Sequence, residues 1–254
     1  MITIKKITTM IVVLFSVNFY AQEIVTDRPD QTESSQTIEK KSFQIESGIS
    51  FENSNNNSIK NFSGPSTLLR YGISNIVELR FVSEYQSTKI ALDEANIDFK
   101  GFNDLEFGVK IQLLKNKNIN TEIALLSHLV IPTAKTALTT DNFGVVNKLA
   151  ISHSISERIG IGYNIGYDLV AQQSALTYSV ALGFSISNTV GVYIEPYGFW
   201  AEQNHFESNF DAGFTFLVKP NFQLDVSYGI GLNNDMQYVA AGFSWKIQKL
   251  FVKK

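Results

Sequence analysis

The chain has 254 residues, a formal charge of −3 and no cysteine. Without cysteine there is no disulfide framework, thiolate metal site, thiol nucleophile or acylated lipoprotein cysteine. The mildly acidic balance is no footprint for nucleic acid.

Lys5 and Lys6 precede an apolar run from Ile7 to Tyr20 and a small residue at Ala21. This reads as a secretory signal peptide over residues 1–21, too short in its apolar part for a spanning helix. Phe19 departs from the usual small residue at the third position before that cut. Removing the leader takes two lysines and no acid, so the charge moves from −3 to −5. No later run reaches the roughly 18 apolar residues of a membrane helix, so a membrane-spanning chain would have to be a closed sheet.

Residues 22–41 form a polar segment that includes Thr26-Asp27-Arg28-Pro29-Asp30-Gln31-Thr32-Glu33-Ser34. It is too polar and proline-broken to build a core. It is expected to fold up into the lumen of a barrel, Asp27, Arg28 and Asp30 pairing with inward charges such as Arg70, Glu78, Arg80 and Lys110. The alternative is a disordered periplasmic tail.

Twelve alternating stretches follow, predicting a barrel over residues 42–248. The first, Ser42 to Glu52, sets Phe43, Ile45, Ile49 and Phe51 against Gln44, Glu46, Gly48, Ser50 and Glu52, the two-residue period of a strand. The second runs from Asn61 to Ile73. The third, Val77 to Tyr85, opposes Leu79 and Phe81 to Glu78, Arg80 and Glu84. The fourth, Gly101 to Leu113, opposes Leu105, Phe107, Val109 and Ile111 to Asp104, Glu106 and Lys110. The fifth, Asn120 to Ile131, is untidy: Ala124, Leu126 and Val130 share the parity that should be polar. Strands six to ten are placed at Asn142–Ser154, Ile159–Asp168, Ser174–Ser187, Val190–Gln203 and Ser208–Val218. The eleventh, Asn221 to Leu232, alternates most cleanly, and the twelfth, Gln237 to Ile247, precedes a basic tail at 249–254.

Connectors after even-numbered strands are tight polar turns, such as Ser74-Asn75 and Lys219-Pro220. Asn53–Lys60, Gln86–Lys100 and Pro132–Asp141 read as longer loops, the order of an outer-membrane barrel with both ends in the periplasm. Loops after strands seven, nine and eleven are shorter than this order expects. A soluble sandwich has the same period. Side-chain size favours the barrel, because the polar parity is rich in Gly, Ser and Ala, as a narrow lumen requires. Two aromatic sets agree: Phe43, Tyr71, Phe184, Phe222 and Trp245 near the periplasmic ends, and Phe51, Tyr85, Phe143, Tyr167 and Trp200 near the outer ends. The fold expected is all-β, a transmembrane antiparallel β-barrel of about 12 strands in the outer membrane.

The TDRPDQTES segment after the leader, Gly101-Phe102-Asn103-Asp104-Leu105, Arg70-Tyr71-Gly72 and Gly242-Phe243-Ser244 resemble a bacterial outer-membrane family described as transporters or as phenol-degradation MetA-pathway proteins. The resemblance covers essentially the whole mature chain. It implies a membrane barrel and, more loosely, passage of small molecules.

Other motifs carry less. Gly160, Gly162 and Gly166 lack the spacing and following helix of a phosphate loop. His128, His153 and His205 have no close-spaced metal partner. A Ser/His hydrolase using His153 lacks a nucleophile elbow. The function expected is a passive outer-membrane channel for small solutes, hydrophobic or aromatic ones included, with no enzymatic activity, metal or cofactor. The candidate lumen residues are Asp27, Arg28, Asp30, Arg70, Glu78, Arg80, Asp104 and Lys110. Lipid and a small-molecule solute are the expected partners; nucleic acid is not, and a protein partner is left open. A purely structural or partner-binding barrel is the second reading.

Overall fold

The computed structural model describes residues 24–92, 96–116, 118–135, 137–202 and 205–247. The expected signal peptide and the basic tail lie outside these residues. Thirteen strands follow in order: β1 (Phe43–Ser54), β2 (Ile59–Gly72), β3 (Val77–Ala91), β4 (Asn96–Phe102), β5 (Leu105–Asn116), β6 (Thr121–Ile131), β7 (Gly144–Ser154), β8 (Ile159–Val170), β9 (Gln173–Ser185), β10 (Val190–Ala201), β11 (His205–Lys219), β12 (Phe222–Gly231) and β13 (Met236–Ile247).

Every pairing is antiparallel, and twelve strands close a ring, β1 joining β13 on one side and β2 on the other while β2 joins β3. The ring leaves no sheet edge unpaired, as hydrocarbon requires of a spanning sheet. β4 stands outside it, pairing only with Tyr85–Ala91 of β3, whose residues Val77–Val82 pair with β5.

Burial is inverted relative to a soluble protein. On β12, Gln223, Asp225 and Ser227 are buried while Leu224, Val226, Tyr228 and Ile230 are exposed. Over the described residues 34 large apolar side chains are exposed and only eight hydrophobic residues are buried. Each exposed Leu or Phe left in water would forfeit about 1.5–3 kcal/mol, so this face belongs against lipid. A sandwich would have buried these side chains between its sheets. At one end Phe43 faces Tyr71 across strands and Phe222 faces Trp245. At the other, Phe51 lies 5.0 Å from Phe62 and Trp200 lies 4.6 Å from Phe206, ring centre to ring centre. Each end therefore carries aromatic pairs, as interfacial belts do.

Two expectations change, and one open register is settled. Gln86–Lys100 is not a loop: the upper part of β3 and β4 form a hairpin, because Gln86, Ser87, Thr88 and Lys89 continue a strand that is polar on both faces. Alternation vanishes where water bathes both sides. The expected fourth strand is broken at Asn103-Asp104, and its pairing with β3 is offset by one residue across the break. The untidy fifth strand, now β6, keeps the common parity, so Ala124, Leu126 and Val130 point inward and are buried.

The end that carries Ser42 and Ile247, here the terminal end, has short connectors at 73–76, 155–158, 186–189 and 220–221. The opposite, loop end carries the β3–β4 hairpin and the 132–143 connector.

Candidate functional site in the barrel lumen

A segment without a strand partner must satisfy its backbone polar groups from side chains. Residues 24–42 do so against the inner wall. The amides of Asp27 and Arg28 donate to Glu46 Oε2 on β1 at 2.8 and 3.1 Å, Gln31 N to Glu195 Oε2 on β10 at 2.6 Å, Glu33 N to Asn164 Oδ1 on β8 at 2.7 Å, and Ile38 N to Glu78 Oε2 on β3 at 2.8 Å. The Val25 carbonyl accepts from Gln44 Nε2 at 2.8 Å and Arg70 Nη1 at 3.0 Å. These anchors lie on strands around the ring, so the segment is strung across the lumen.

Its centre is one carboxylate. Asp27 Oδ1 and Oδ2 each stand 2.9 Å from Lys110 Nζ, while Arg80 Nη1 is 2.5 Å and Arg70 Nη1 3.3 Å from Oδ2. Burial works to raise this carboxyl, but the three cations outweigh it and hold Asp27 well below the usual carboxylate range. Arg70 also pairs with Glu46 at 2.8 Å and Glu78 at 2.9 Å, and Arg80 with Glu78 at 3.0 Å and Glu33 at 2.8 Å. The geometry fixes a tautomer as well. Arg80 Nε donates to His128 Nε2 at 2.9 Å, so the ring proton sits on Nδ1, which meets Glu106 Oε2 at 2.7 Å.

Arg28 reaches another wall. Its guanidinium pairs with Asp225 on β12 at 2.8 Å and lies over Gly48 and Gly242, cross-strand partners on β1 and β13. A Cβ at either glycine would overlap the guanidinium. The sequence therefore flattens this stretch of wall where Arg28 crosses it.

Asp27, Arg70, Glu78, Arg80 and Lys110 are thus brought into one network, with Arg28 apart from it. Asp30 precedes Gln31 and Thr32, which bond to Glu195 on β10, so it sits on a different side of the lumen wall from Asp27's cations. Asp104 belongs to neither group: at the loop end it accepts from the amides of Thr133, Ala134 and Thr140 at 2.9, 2.8 and 2.7 Å, and from the Thr140 hydroxyl at 2.7 Å. Its inward parity points to the lumen, but it sits in the break between β4 and β5. Glu33 and Asp211 were not singled out from the sequence. The first lies in the distinctive segment and the second shares parity with Asn209, so position alone could have found both.

Water-sized space remains around the segment. A loop-end cavity of about 410 Å³ has Glu52, Glu84, Tyr197 and Tyr238 in its wall. At the terminal end, cavities of about 290 and 400 Å³ lie against Ser154, Gly160 and Gly183. The histidines form no shared site: His153 bonds to Thr121 at 2.8 Å and Tyr163 at 3.0 Å, and His205 to Glu207. Among the described residues no group of three His, Cys, Asp or Glu side chains could hold a metal ion.

A family model described as "Putative MetA-pathway of phenol degradation" matches residues 26–247. No curated protein matches the sequence. Among solved structures, an outer membrane channel from Pseudomonas putida is 13% identical, with a TM-score of 0.68 over 84% of this chain and 98% of that one. The KdgM porin is 9% identical, with a TM-score of 0.55 over 80% and 98%. The β domain of the Bordetella autotransporter BrkA is 10% identical, with a TM-score of 0.54 over 81% and 99%. At these identities the shared property is the outer-membrane barrel fold.

Proposed function

The chain belongs to the family described by the MetA pathway of phenol degradation, and from that premise we propose that it is a passive outer-membrane channel for small solutes, narrowed by its own N-terminal segment. The observation that carries the reading is the segment itself. A barrel that only stiffened an envelope could fill its interior with wall side chains, as eight-stranded barrels do. Here a twelve-stranded wall is lined by Gly, Ser and charged residues, and a separate strap of chain crosses the interior with cavities on both sides.

The strap is tethered by ion pairs and hydrogen bonds from polar side chains, so it can shift without exposing an apolar core. The longest connections, the β3–β4 hairpin and the 132–143 connector, lie at the loop end, which supports reading the terminal end as the periplasmic one. Cavity walls of Ser, Gly, Tyr and carboxylates suit water-soluble molecules of a few heavy atoms, small hydroxylated aromatics among them. An apolar solute without polar groups would desolvate those walls without replacing their hydrogen bonds.

Planar-bilayer recording of the full mature chain, against a variant lacking residues 24–40, tests the reading. Frequent small openings that become large and steady on deletion are expected. Equal conductance from both proteins would refute a narrowing role, and no conductance from either would refute the channel.

A further inference from the structure

A fourth cavity, about 360 Å³, lies at the terminal end and shares no lining residue with the other three. One side of it is strap, Val25 and Gln36 to Glu39. The other is barrel, chiefly Gln44 on β1, Gln112 on β5 and Lys246 on β13. Its volume falls at the lower end of the range for small-molecule sites.

Gln44 is fully buried, and its amide can be read in only one orientation. Nε2 donates to the Val25 carbonyl and to Glu46 Oε1, each at 2.8 Å, so both N–H groups are used and nitrogen and oxygen cannot exchange places. Oε1 is left without a donor. Glu39 Oε1 and Gln112 Nε2 are also buried without a hydrogen-bond partner, and both residues line the same cavity. Buried polar groups are otherwise mostly hydrogen-bonded. Two acceptors and one donor around a single cavity therefore call for a polar occupant.

The cavity also holds one spare charge of each sign. Lys246, the cross-strand partner of Gln44, is 4% exposed. Among the described residues neither Lys246 nor Glu39 forms an ion pair. Lys115, the remaining charge in the lining, is already paired with Glu122 at 3.1 Å.

These features narrow the chemistry of the occupant. A simple anion would meet Glu39, a simple cation would meet Lys246, and an apolar molecule would leave the buried amides unpaired. A molecule carrying both charges a few atoms apart satisfies all four groups. We propose that this cavity binds a small α-amino acid, its carboxylate answered by Lys246 and Gln112 and its ammonium by Glu39 and Gln44. Glu39 is on the strap and Lys246 on the wall, so the bound molecule bridges the two. The proposal goes beyond passage of solutes and does not require that the barrel conduct.

The test uses the full mature chain with Gln36→Cys. The chain has no native cysteine, so this thiol is single, and it lines the cavity. Only the backbone carbonyl of Gln36 bonds to Arg70, at 3.2 Å, and the substitution leaves that group in place. L-alanine should slow maleimide labelling in a saturable way, and propionate and ethylammonium, each carrying one of its two charges, should do so severalfold less well. Equal protection by all three, or none by any, overturns the proposal; the second result would leave the cavity to water.

Two further variants separate recognition from support of the fold. Glu39→Gln should bring propionate close to L-alanine, and Lys246→Met should do the same for ethylammonium. A purely structural role would lower thermal stability and leave the order of the three probes unchanged. Gln44 is left alone because it also holds the strap. Glu39 is outside the barrel wall, so its variant keeps the test decisive if Lys246→Met fails to fold. Saturation-transfer NMR with L-alanine needs no thiol: a signal from the wild type that weakens severalfold in Glu39→Gln supports the site, and no signal from the wild type refutes it.

Discussion

Lys110 Nζ lies 2.9 Å from both carboxylate oxygens of Asp27, a residue 83 positions earlier in the chain. That contact ties the strap to β5, and Arg70 and Arg80 tie the same carboxylate to β2 and β3. Asp27 is consequently the residue whose loss most unbalances the lumen.

Asp27→Asn removes one negative charge from among three buried cations. Breaking one partner out of a buried pair costs about 3–5 kcal/mol, because the other charge is left uncompensated. The barrel wall does not depend on this residue, so the cost falls on docking of the strap. The expected result is a folded, heat-modifiable barrel with conductance approaching that of the variant lacking residues 24–40. A wild-type conductance trace from Asp27→Asn would show that the other anchors suffice.

Gly48 and Gly242 leave room for the Arg28 guanidinium. Gly242→Ala forces that side chain off the wall and away from Asp225, and overpacking of this kind typically costs about 1–3 kcal/mol. The diagnostic is a double-mutant cycle with Arg28→Ala, followed by thermal melting in detergent. If the glycine serves the arginine, Gly242→Ala should be nearly neutral once Arg28 is gone. Additive losses would assign the glycine to the strand itself.

The barrel was legible from sequence because lipid and lumen impose opposite demands on alternate residues, and β12 obeys them from Phe222 to Ile230. The rule failed where one of those demands lapsed. Beyond the bilayer, Gln86–Lys89 face water on both sides and lose alternation, so a hairpin read as a loop. Inside, Ala124 and Leu126 are apolar on the inward parity of β6. The basic half of the site was readable because Arg70, Arg80 and Lys110 are conspicuous on inward parity. That Asp30 would part company with Asp27, and its neighbours Gln31 and Thr32 bond to Glu195, depends on the path of the strap, which no local pattern encodes.

Asp104 organises the loop-end rim. Burial tends to raise its carboxyl, but the Thr140 and Ala134 amides and the threonine hydroxyls outweigh this and hold it below the ordinary value. A carboxyl depressed in the folded state adds stability above its unfolded pKa, and that stability is lost as pH falls through the folded one. Order at Thr133, Ala134 and Thr140 should therefore persist through neutral and mildly acidic pH, then fail below the ordinary carboxylate range. Amide protection at Ala134 and Thr140, corrected for intrinsic exchange, checks this, and Asp104→Asn should show the loose loop already at neutral pH.

The last prediction concerns the two faces. Val226 and Ser227 are neighbours on β12, one exposed toward the proposed lipid side and the other buried in the lumen. An arginine at mid-bilayer on the lipid side costs about 2–4 kcal/mol. On the lumen side its charge stays hydrated, and the cost is set by space beside the strap. Val226→Arg should thus depress folding yield into thin bilayers by far more than Val226→Thr. Ser227→Arg should fold but conduct less, because Ser227 lines the loop-end cavity. Equal folding yields for Val226→Arg and Val226→Thr would mean that hydrocarbon does not touch this face, and the assignment of inside and outside would reverse with it.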